Sequence, residues 1–301
     1  MNLTKNVRPL INKTNVNLIR QLSSSADSDY SFKTLRVSVP SEFVYHVEFN
    51  RPERRNAMNP SFFSEIKNCF EKLRYDPDCR TVLISGKGKG FTAGLDLTEL
   101  SQMVSIDQED VGRKGFQLLK IIEDYQTSLS SIEKCHKPVI SLVHGHCIGG
   151  GIDLIAACDI RYCSKDAWFS VKEVDVGLAA DIGTLQRFPK ITGNDSLVRE
   201  LIYTARNFTP EEALKLGLVS LITDDQDSLL AKGLETAKLI ASKSPIAVQG
   251  SKINLNFSRD NKIEDSLKFV AAWNSGMLQS EDLIKSAMAS ISKEQPIFSK
   301  L

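Results

Sequence analysis

Three acidic residues that follow a run of three glycines could carry acid–base chemistry. The glycines occupy positions 149–151, and the acids are Asp153, Glu173 and Asp181. Backbone amides at a glycine-rich turn that opens a helix stabilise negative charge. The acids stand on an apolar background, and burial would raise the pKa of each carboxyl group. Amide donors beside acid–base groups suit proton transfer next to a carbonyl.

A second glycine-rich loop, GKGKGFTAGLDL, occupies positions 86–97. It lacks the closing Gly-Lys-Ser/Thr of a phosphate loop, and GHCIGGG around the triple glycine lacks the GxGxxG spacing. Both fragments therefore disfavour a nucleotide site. We expect instead that the two loops present free backbone amides to one carbonyl oxygen, because glycine lets a ligand approach the main chain closely.

Other kinds of site have weaker support in the sequence. His144 and His146 form an HxH pair, but no further ligand is paired with them by spacing, so a structural role is predicted and no metal site. The sequence contains no GxSxG motif and therefore gives no support to a serine hydrolase. Taken alone, the three acids also fit ordinary solvated side chains or helix caps, and this alternative stays open.

The composition is that of an ordinary globular enzyme. The chain has 301 residues, 42% of them hydrophobic and 25% charged, and a net charge of +1, which disfavours a nucleic-acid surface. No apolar run is long enough to span a bilayer. The cysteines form no CxxC pair, which predicts reduced, buried thiols; they are Cys69, Cys79, Cys135, Cys147, Cys158 and Cys163.

The periodicity alternates between strands and helices and then becomes helical. It predicts strands at 44–50, 81–86 and 138–145, and short strands in RYCS and WFSVKE. Helices are expected from Asn59-Pro60 to Asp76-Pro77, over 108–132 and 149–158, near Thr184 and Ser196, and from a capping box at 209–212. From about Asp227 the pattern is entirely helical. An α/β core with a helical extension follows.

Four motifs together resemble the crotonase (enoyl-CoA hydratase/isomerase) superfamily over roughly 35–293. They are NRPERRNAMN, GKGFTAGLDL, KPVISLVHGHCIGGGIDL and VKEVDVGLAADIGTLQRFP. The resemblance implies an α/β fold, a crotonase-type spiral of ββα units with a C-terminal helical trimerisation region. It divides the chain into a targeting or disordered segment at 1–33, the spiral core at 34–239 and the helical region at 240–298.

The chain is most similar to the branch that isomerises 3,5-dienoyl-CoA to 2,4-dienoyl-CoA in β-oxidation of unsaturated fatty acids. By that resemblance, the amides of Leu95 and Gly150 hold the thioester oxygen. Glu173 removes a proton from C2, Asp181 delivers one to C6, and Asp153 tunes or orients this pair or holds a water. The implied substrate-binding residues are Ala93, Leu95, Asp96, Leu97, Gly150 and Gly151.

The resemblance implies a fatty acyl-CoA substrate, no cofactor beyond the CoA of that substrate, and a homotrimer or homohexamer. One alternative is an enoyl-CoA hydratase. Asp153 and Asp181 count against it, because hydratases typically carry a glutamate at the first position and a small residue at the second. Another is a non-catalytic RNA-binding or scaffold member, which the lack of a basic stripe disfavours.

Both ends of the chain resemble targeting signals. Residues 1–26 carry four basic residues, no acid and a serine run, as mitochondrial transit peptides do, although a tail without an addressing role fits equally well. Ser299-Lys300-Leu301 resembles a peroxisomal import signal read by a receptor. We therefore expect a peroxisomal location, and a mitochondrial one as well if the N-terminal segment is a transit peptide.

Overall fold

The computed structural model describes residues 30–98 and 110–301. Eight strands lie within these ranges: β1 (Leu35–Ser41), β2 (Val44–Phe49), β3 (Thr81–Gly86), β4 (Val139–Val143), β5 (His146–Ile148), β6 (Ile160–Ser164), β7 (Trp168–Ser170) and β8 (Leu221–Thr223). Six of them form one sheet in the order β1-β2-β3-β4-β6-β8, in which only the β1–β2 pair is antiparallel. β5 and β7 pair separately as a parallel two-stranded sheet.

The α-helices described are α1 (Pro60–Tyr75), α2 (Val111–Lys134), α3 (Gly150–Ala156), α4 (Thr184–Ile191), α5 (Asp195–Thr204), α6 (Pro210–Leu216), α7 (Gln226–Ala241), α8 (Pro245–Asp260), α9 (Ile263–Met277) and α10 (Glu281–Ser292). Their starts follow local capping chemistry. The Asn59 side chain accepts from the Phe62 amide before Pro60, and Thr209 and Glu212 form a capping box. Two 3-10 helices lie at Pro52–Arg54 and Glu173–Val176.

Helices cover both faces of the large sheet. α7 packs across β2, β3, β4, β6 and β8, where Leu229 and Leu234 join a buried cluster with Leu83 and Leu142. On the other face, α1 packs on α2 within the main core. This burial explains why β3 and β4 are buried along their whole length, as expected for a parallel sheet covered by helices.

The two-stranded sheet carries the chain from the core to the glycine-rich turn. Ile148 pairs with Ser170, and the Gly149 amide then donates to the Ser170 carbonyl oxygen at 2.9 Å. α3 begins at Gly150, and Glu173 begins the 3-10 helix three residues after β7. The pairing of β5 with β7 therefore places the amide-bearing turn beside the first turn that carries Glu173.

A buried arginine connects the sheet to distant parts of the chain. Arg80, just before β3, stacks on the Phe43 ring at 3.8 Å from the ring centroid. Its guanidinium donates to the carbonyl oxygens of Ala241 at 3.0 Å, Phe298 at 2.8 Å and Ser299 at 3.2 Å. The Lys300 ammonium group also pairs with Asp78. The segment after α10 is thereby held against the body of the protein.

Several element boundaries differ from the sequence predictions. β1, β5 and β8 were not predicted, and 138–145 contains only β4, because Gly145 turns the chain at a φ of 54° before β5 begins. The strand predicted in WFSVKE ends at Ser170, and Glu173 is helical. The helix predicted over 108–132 runs from Val111 to Lys134, while positions 108 and 109 lie outside the described residues.

The expected targeting or disordered segment at 1–33 extends into packed structure. The Tyr30 hydroxyl donates to Asp76 at 2.8 Å, and the amides of Lys33 and Thr34 donate to the Glu65 carboxylate. These contacts attach the chain to the body from Tyr30 onwards. Residues 1–29 lie outside the described ranges. Within the described ranges, no helix combines the length and the apolar character needed to cross a membrane.

Candidate active site

A cavity of about 130 Å³ lies between the two glycine-rich loops. Thr92 connects these loops, because its amide donates to the His146 carbonyl oxygen at 3.0 Å and its own carbonyl oxygen accepts from Ile148 at 3.2 Å. The lining is mostly apolar, with two carboxylates. It comprises Ala93, Gly94, Leu95, Leu97, Ile148, Gly149, Gly150, Lys172, Glu173, Val176, Leu178, Asp181 and Ile182.

One backbone amide in the first loop is left free for a ligand. On either side of Leu95, the Gly94 amide donates to the Thr92 hydroxyl at 3.1 Å and the Asp96 amide to the Met58 carbonyl oxygen at 2.9 Å. The Leu95 amide between them donates to no described residue. Gly94 has a φ of 83°, a left-handed conformation that lets the chain expose this amide.

The second free amide belongs to Gly150, at the start of α3. A β-carbon at Gly150 would stand 3.9 Å from the Leu95 amide nitrogen and 3.3 Å from the Met58 sulfur. Similarly, a β-carbon at Gly94 would stand 3.5 Å from the Gly150 nitrogen. The two amides are therefore close neighbours, as an oxyanion site requires.

Glu173 lies beside these amides in an environment that favours its protonated form. Its Oε1 atom is 3.2 Å from the point where a β-carbon of Gly149 would stand. Oε2 is buried and has no hydrogen-bond partner among the described residues. Burial raises the pKa of Glu173 to about 7, and repulsion from Asp153 adds to the effect. Glu173 can thus exchange a proton near neutral pH.

Asp153 is fully buried behind the cavity wall and does not line the cavity. Its Oδ1 atom accepts from the Thr184 amide at the start of α4, at 2.5 Å, whereas Oδ2 has no partner in the described parts of the chain. Burial raises the pKa of Asp153 to about 6, although the hydrogen bonding of Thr184 opposes that rise. The structure therefore places Asp153 as a buried neighbour of the reacting groups.

Asp181 lines the same cavity and is itself exposed to solvent. Its backbone carbonyl oxygen accepts from the Gln126 side chain at 2.6 Å, which fixes this part of the loop against α2. Partial burial raises the pKa of Asp181 above its ordinary value. Glu173 and Asp181 thus offer two proton carriers to one bound molecule.

Two predicted substrate-binding residues do not line the cavity. Asp96 faces the Arg51 guanidinium at 3.4 Å and accepts from the Thr98 hydroxyl at 2.7 Å. Gly151 packs behind the turn, where a β-carbon would stand 2.6 Å from the Thr92 methyl carbon and 3.1 Å from the Cys147 sulfur. Both residues support the loops, while Ala93, Leu95, Leu97 and Gly150 line the cavity.

Three residues that hold the site together were not predicted from the sequence. Met58 packs behind the free amides, Thr92 joins the loops, and the Thr184 amide holds Asp153. No motif marks these roles. The start of α4 at Thr184 also has no capping side chain that the sequence could reveal, because the preceding residue is Gly183.

The two histidines are held by backbone carbonyl groups. His144 Nε2 lies 3.0 Å from the Gly88 oxygen, and His146 Nε2 lies 3.4 Å from the Arg55 oxygen. Among the described residues, no group of three or more potential ligands could hold a metal ion. These contacts give both side chains a structural explanation.

Residues 40–300 match the family model described as Enoyl-CoA hydratase/isomerase. Over 297 residues, the chain is 51% identical to a Rattus norvegicus protein named Delta(3,5)-Delta(2,4)-dienoyl-CoA isomerase, mitochondrial, with 94% of this chain and 91% of the relative covered. A peroxisomal protein of the same name from Arabidopsis thaliana is 45% identical over 276 residues, covering 90% of this chain and 99% of the relative.

The fold of the chain is also that of solved structures. A crystal structure of an enoyl-CoA hydratase from Bacillus anthracis matches it with a TM-score of 0.81 and 26% identity, covering 89% of this chain and 99% of that one. This match confirms the predicted α/β crotonase fold with its C-terminal helices. The chain therefore belongs to the enoyl-CoA hydratase/isomerase family.

Proposed function

We propose that this protein is a Δ3,5-Δ2,4-dienoyl-CoA isomerase that acts in the β-oxidation of unsaturated fatty acids. Relatives of that name match more than nine-tenths of the chain at about half identity. The observation that carries the proposal is that two separate carboxylates, Glu173 and Asp181, line one small cavity beside two neighbouring amides. Moving a conjugated pair of double bonds requires one proton removed and another added at a distant carbon.

The reaction begins with the thioester oxygen of a 3,5-dienoyl-CoA at the amides of Leu95 and Gly150. Negative charge develops on this oxygen when the α-proton leaves, and preorganised amides stabilise it without reorganisation. Ala93 and Leu97 line the path of the acyl-CoA. Asp96 and Gly151 support the reaction indirectly, because each holds a loop that presents one of the two amides.

Glu173 acts as the base that removes the C2 proton. A base with a pKa near 7 is about half ionised at neutral pH, and it is stronger than an ordinary carboxylate as an acceptor of a carbon-bound proton. Its unpartnered Oε2 atom is free to take that proton. The electron pair left at C2 spreads through C3–C6 and onto the thioester oxygen.

Asp181 then delivers a proton at C6, which leaves double bonds at C2 and C4. Asp181 lines the same cavity as Glu173 and is itself exposed, and we assign it to the carbon that is distant from the thioester. In the free protein Asp181 is exposed, and a bound acyl chain would remove water from it and raise its pKa further. Substrate binding thereby favours the protonated form that this step needs. The chemistry requires no cofactor.

Hydration of a 2-enoyl-CoA is the second candidate function. It is favoured by the unpartnered oxygens of Asp153 and Glu173, since two such acceptors can hold an attacking water. It leaves Asp181 without a role. Isomerisation uses all the carboxylates of the cavity, and for that reason it is the preferred proposal.

Purified protein should convert a 3,5-dienoyl-CoA to a product with the ultraviolet absorbance of a conjugated 2,4-diene. A 2-enoyl-CoA given separately should lose its absorbance slowly, because the proposed reaction moves protons between carbons and adds no water. Rapid hydration without diene formation would instead support the hydratase. Inactivity on both substrates, with tight salt-dependent RNA binding, would support the non-catalytic alternative.

Substitution of the two carboxylates should separate the two proton transfers. D181N should lower isomerisation by about 10²–10⁴-fold while C2 deuterium exchange in D₂O continues, since Glu173 can still remove and return that proton. E173Q should abolish both reactions. Proton NMR of the CoA thioester follows exchange and isomerisation in one sample.

Asp175 provides the matched control for these variants. Asp175 lies on the same 3-10 helix as Glu173 and does not line the cavity. Its carboxylate pairs with the Lys172 ammonium group at 2.6 Å. D175N should keep both rates within about twofold, as surface substitutions usually cause little change. If D181N isomerises as fast as the unsubstituted protein, Asp181 is not the C6 acid.

G150A should place a methyl group between the two amides, because a β-carbon there lies 3.9 Å from the Leu95 nitrogen. Turnover should fall by about 10²–10³-fold, the usual effect of losing one oxyanion donor. The thermal midpoint should hold, since alanine suits the first turn of a helix. G193A is the control, because a β-carbon there meets nothing within 4 Å. Unchanged kcat in G150A would contradict the placement of the thioester oxygen.

We also propose that the chain assembles as a homotrimer or a dimer of trimers. Helices α8, α9 and α10 surround a groove of about 780 Å³ and leave large apolar side chains exposed, among them Ile263, Leu267, Met288 and Ile291. Apolar surface of this extent usually marks an interface. Light scattering should give three or six chain masses, and a monomer would refute the assembly.

For location, the named relatives are mitochondrial or peroxisomal. We propose import into peroxisomes through Ser299, Lys300 and Leu301, with residues 1–33 directing some copies to mitochondria. A receptor that reads the three C-terminal positions must first detach them from Arg80 and Asp78. Imaging of cells that express chains lacking either segment tests both signals, and an unchanged distribution would refute them.

A further inference from the structure

Arg187 on α4 approaches the buried acid Asp153 through the space that a glycine leaves open. A β-carbon at Gly183 would stand 2.3 Å from Arg187 Nη1 and 3.8 Å from Asp153 Oδ1. The guanidinium and the carboxylate therefore lie around the same point, next to the Thr184 amide that binds Asp153. Any side chain at Gly183 would push the guanidinium away.

The guanidinium of Arg187 is fixed by α2. It donates to the Ser130 hydroxyl at 2.9 Å and to Glu133 Oε2 at 3.0 Å and 3.3 Å. The side chains of Arg187 and Glu133 are only 12% and 15% exposed. Arg259 on α8 binds the other oxygen of Glu133. Glu133 thus keeps a partner if either arginine is lost.

Charged and titratable groups face Asp153 from each element around it. Glu173 and Asp181 repel its negative charge, whereas Arg187 attracts it. Cys147 on β5 faces the same acid, but burial raises the pKa of this thiol so that it stays neutral. Of these groups, Arg187 is the one that favours the ionised form of Asp153.

We propose that Arg187 is a positioning residue that keeps Asp153 ionised, and that the ionised Asp153 makes Glu173 the stronger base of the buried pair. This inference rests on the proposed function, because it explains how Glu173 becomes the base. The two buried carboxyls are similar in chemistry, and each has one unpartnered oxygen. A cation fixed near one of them removes that equivalence. An ionised Asp153 then repels negative charge on Glu173 and strengthens its affinity for a proton.

Arg187 acts without touching the substrate. It is absent from the cavity lining, and it reaches the site only through Asp153 and the turn at Gly183. Its backbone amide also donates to the Gly183 carbonyl oxygen at 3.0 Å, which orients the first turn of α4. Loss of its charge should therefore change proton affinities and kcat, and leave KM unchanged.

The test is a titration of the side-chain carboxyl carbons of Asp153 and Glu173 by carbon-13 NMR, with assignment from D153N and E173Q. In R187Q, the midpoint of Asp153 should rise by about one pH unit, because a nearby opposite charge lowers a carboxyl pKa by that order. R187K keeps the charge and should retain most of the original midpoint. R259Q removes the second partner of Glu133 and should leave Asp153 unchanged.

Kinetics give the second readout. At pH values well below the Asp153 midpoint, R187Q should lower kcat for the dienoyl-CoA by up to about tenfold with KM unchanged, because a one-unit rise of that midpoint reduces the ionised fraction of Asp153 tenfold there. R187K should restore most of the activity. An Asp153 midpoint that is the same in folded R187Q and in the unsubstituted protein would overturn the proposal. If the midpoint moves but no variant isomerises a dienoyl-CoA, the proposed function fails and the electrostatic role of Arg187 stands.

Discussion

The pairing of β5 with β7 is the constraint on which the site depends. This short parallel sheet joins the turn that bears the Gly150 amide to the segment that bears Glu173, and the Gly149 amide extends the pairing to Ser170. Thr92 attaches the Leu95 loop to the same strand. The two neighbouring amides and Glu173 therefore keep one mutual geometry, and the helices of the core only have to hold this small unit in place.

The unit carries a cost in stability that its chemistry explains. Leaving a buried polar atom without a partner typically costs about 1–3 kcal/mol, and both Asp153 and Glu173 contain such an oxygen. Burial of the two carboxyls also raises their pKa values towards neutrality. A more stable arrangement would give the free oxygens of Asp153 and Glu173 hydrogen-bond partners, but it would also remove their ability to exchange protons near neutral pH. The fold therefore keeps these two buried oxygens unpaired at the proposed site of reaction.

Much of the fold could be predicted because its signals are local. Asn59-Pro60 caps α1, the continuous apolar run at 81–86 forms β3, and the glycine loops expose the Leu95 amide and adjoin the Gly150 amide. Predictions of which side chains face the cavity were incomplete, because they depend on three-dimensional packing. Whether a loop residue faces the cavity depends on how the loop is attached, which explains why Asp96 and Gly151 do not line the cavity that contains Glu173. Helix α4 supplies Asp153 with a partner that no spacing in the sequence could identify.

Arg80 has a consequence for the order in which the protein acquires its structure during synthesis. Its three carbonyl acceptors lie 161, 218 and 219 residues further along the chain. A growing chain that has reached only the start of α7 contains β2, β3, β4, β6 and β8 but none of these acceptors, and a complete α7 adds Ala241 alone. An unpaired buried charge is strongly unfavourable. The nascent sheet therefore stays open around Arg80, and final closure of this edge waits until the ribosome has delivered the segment beyond α10.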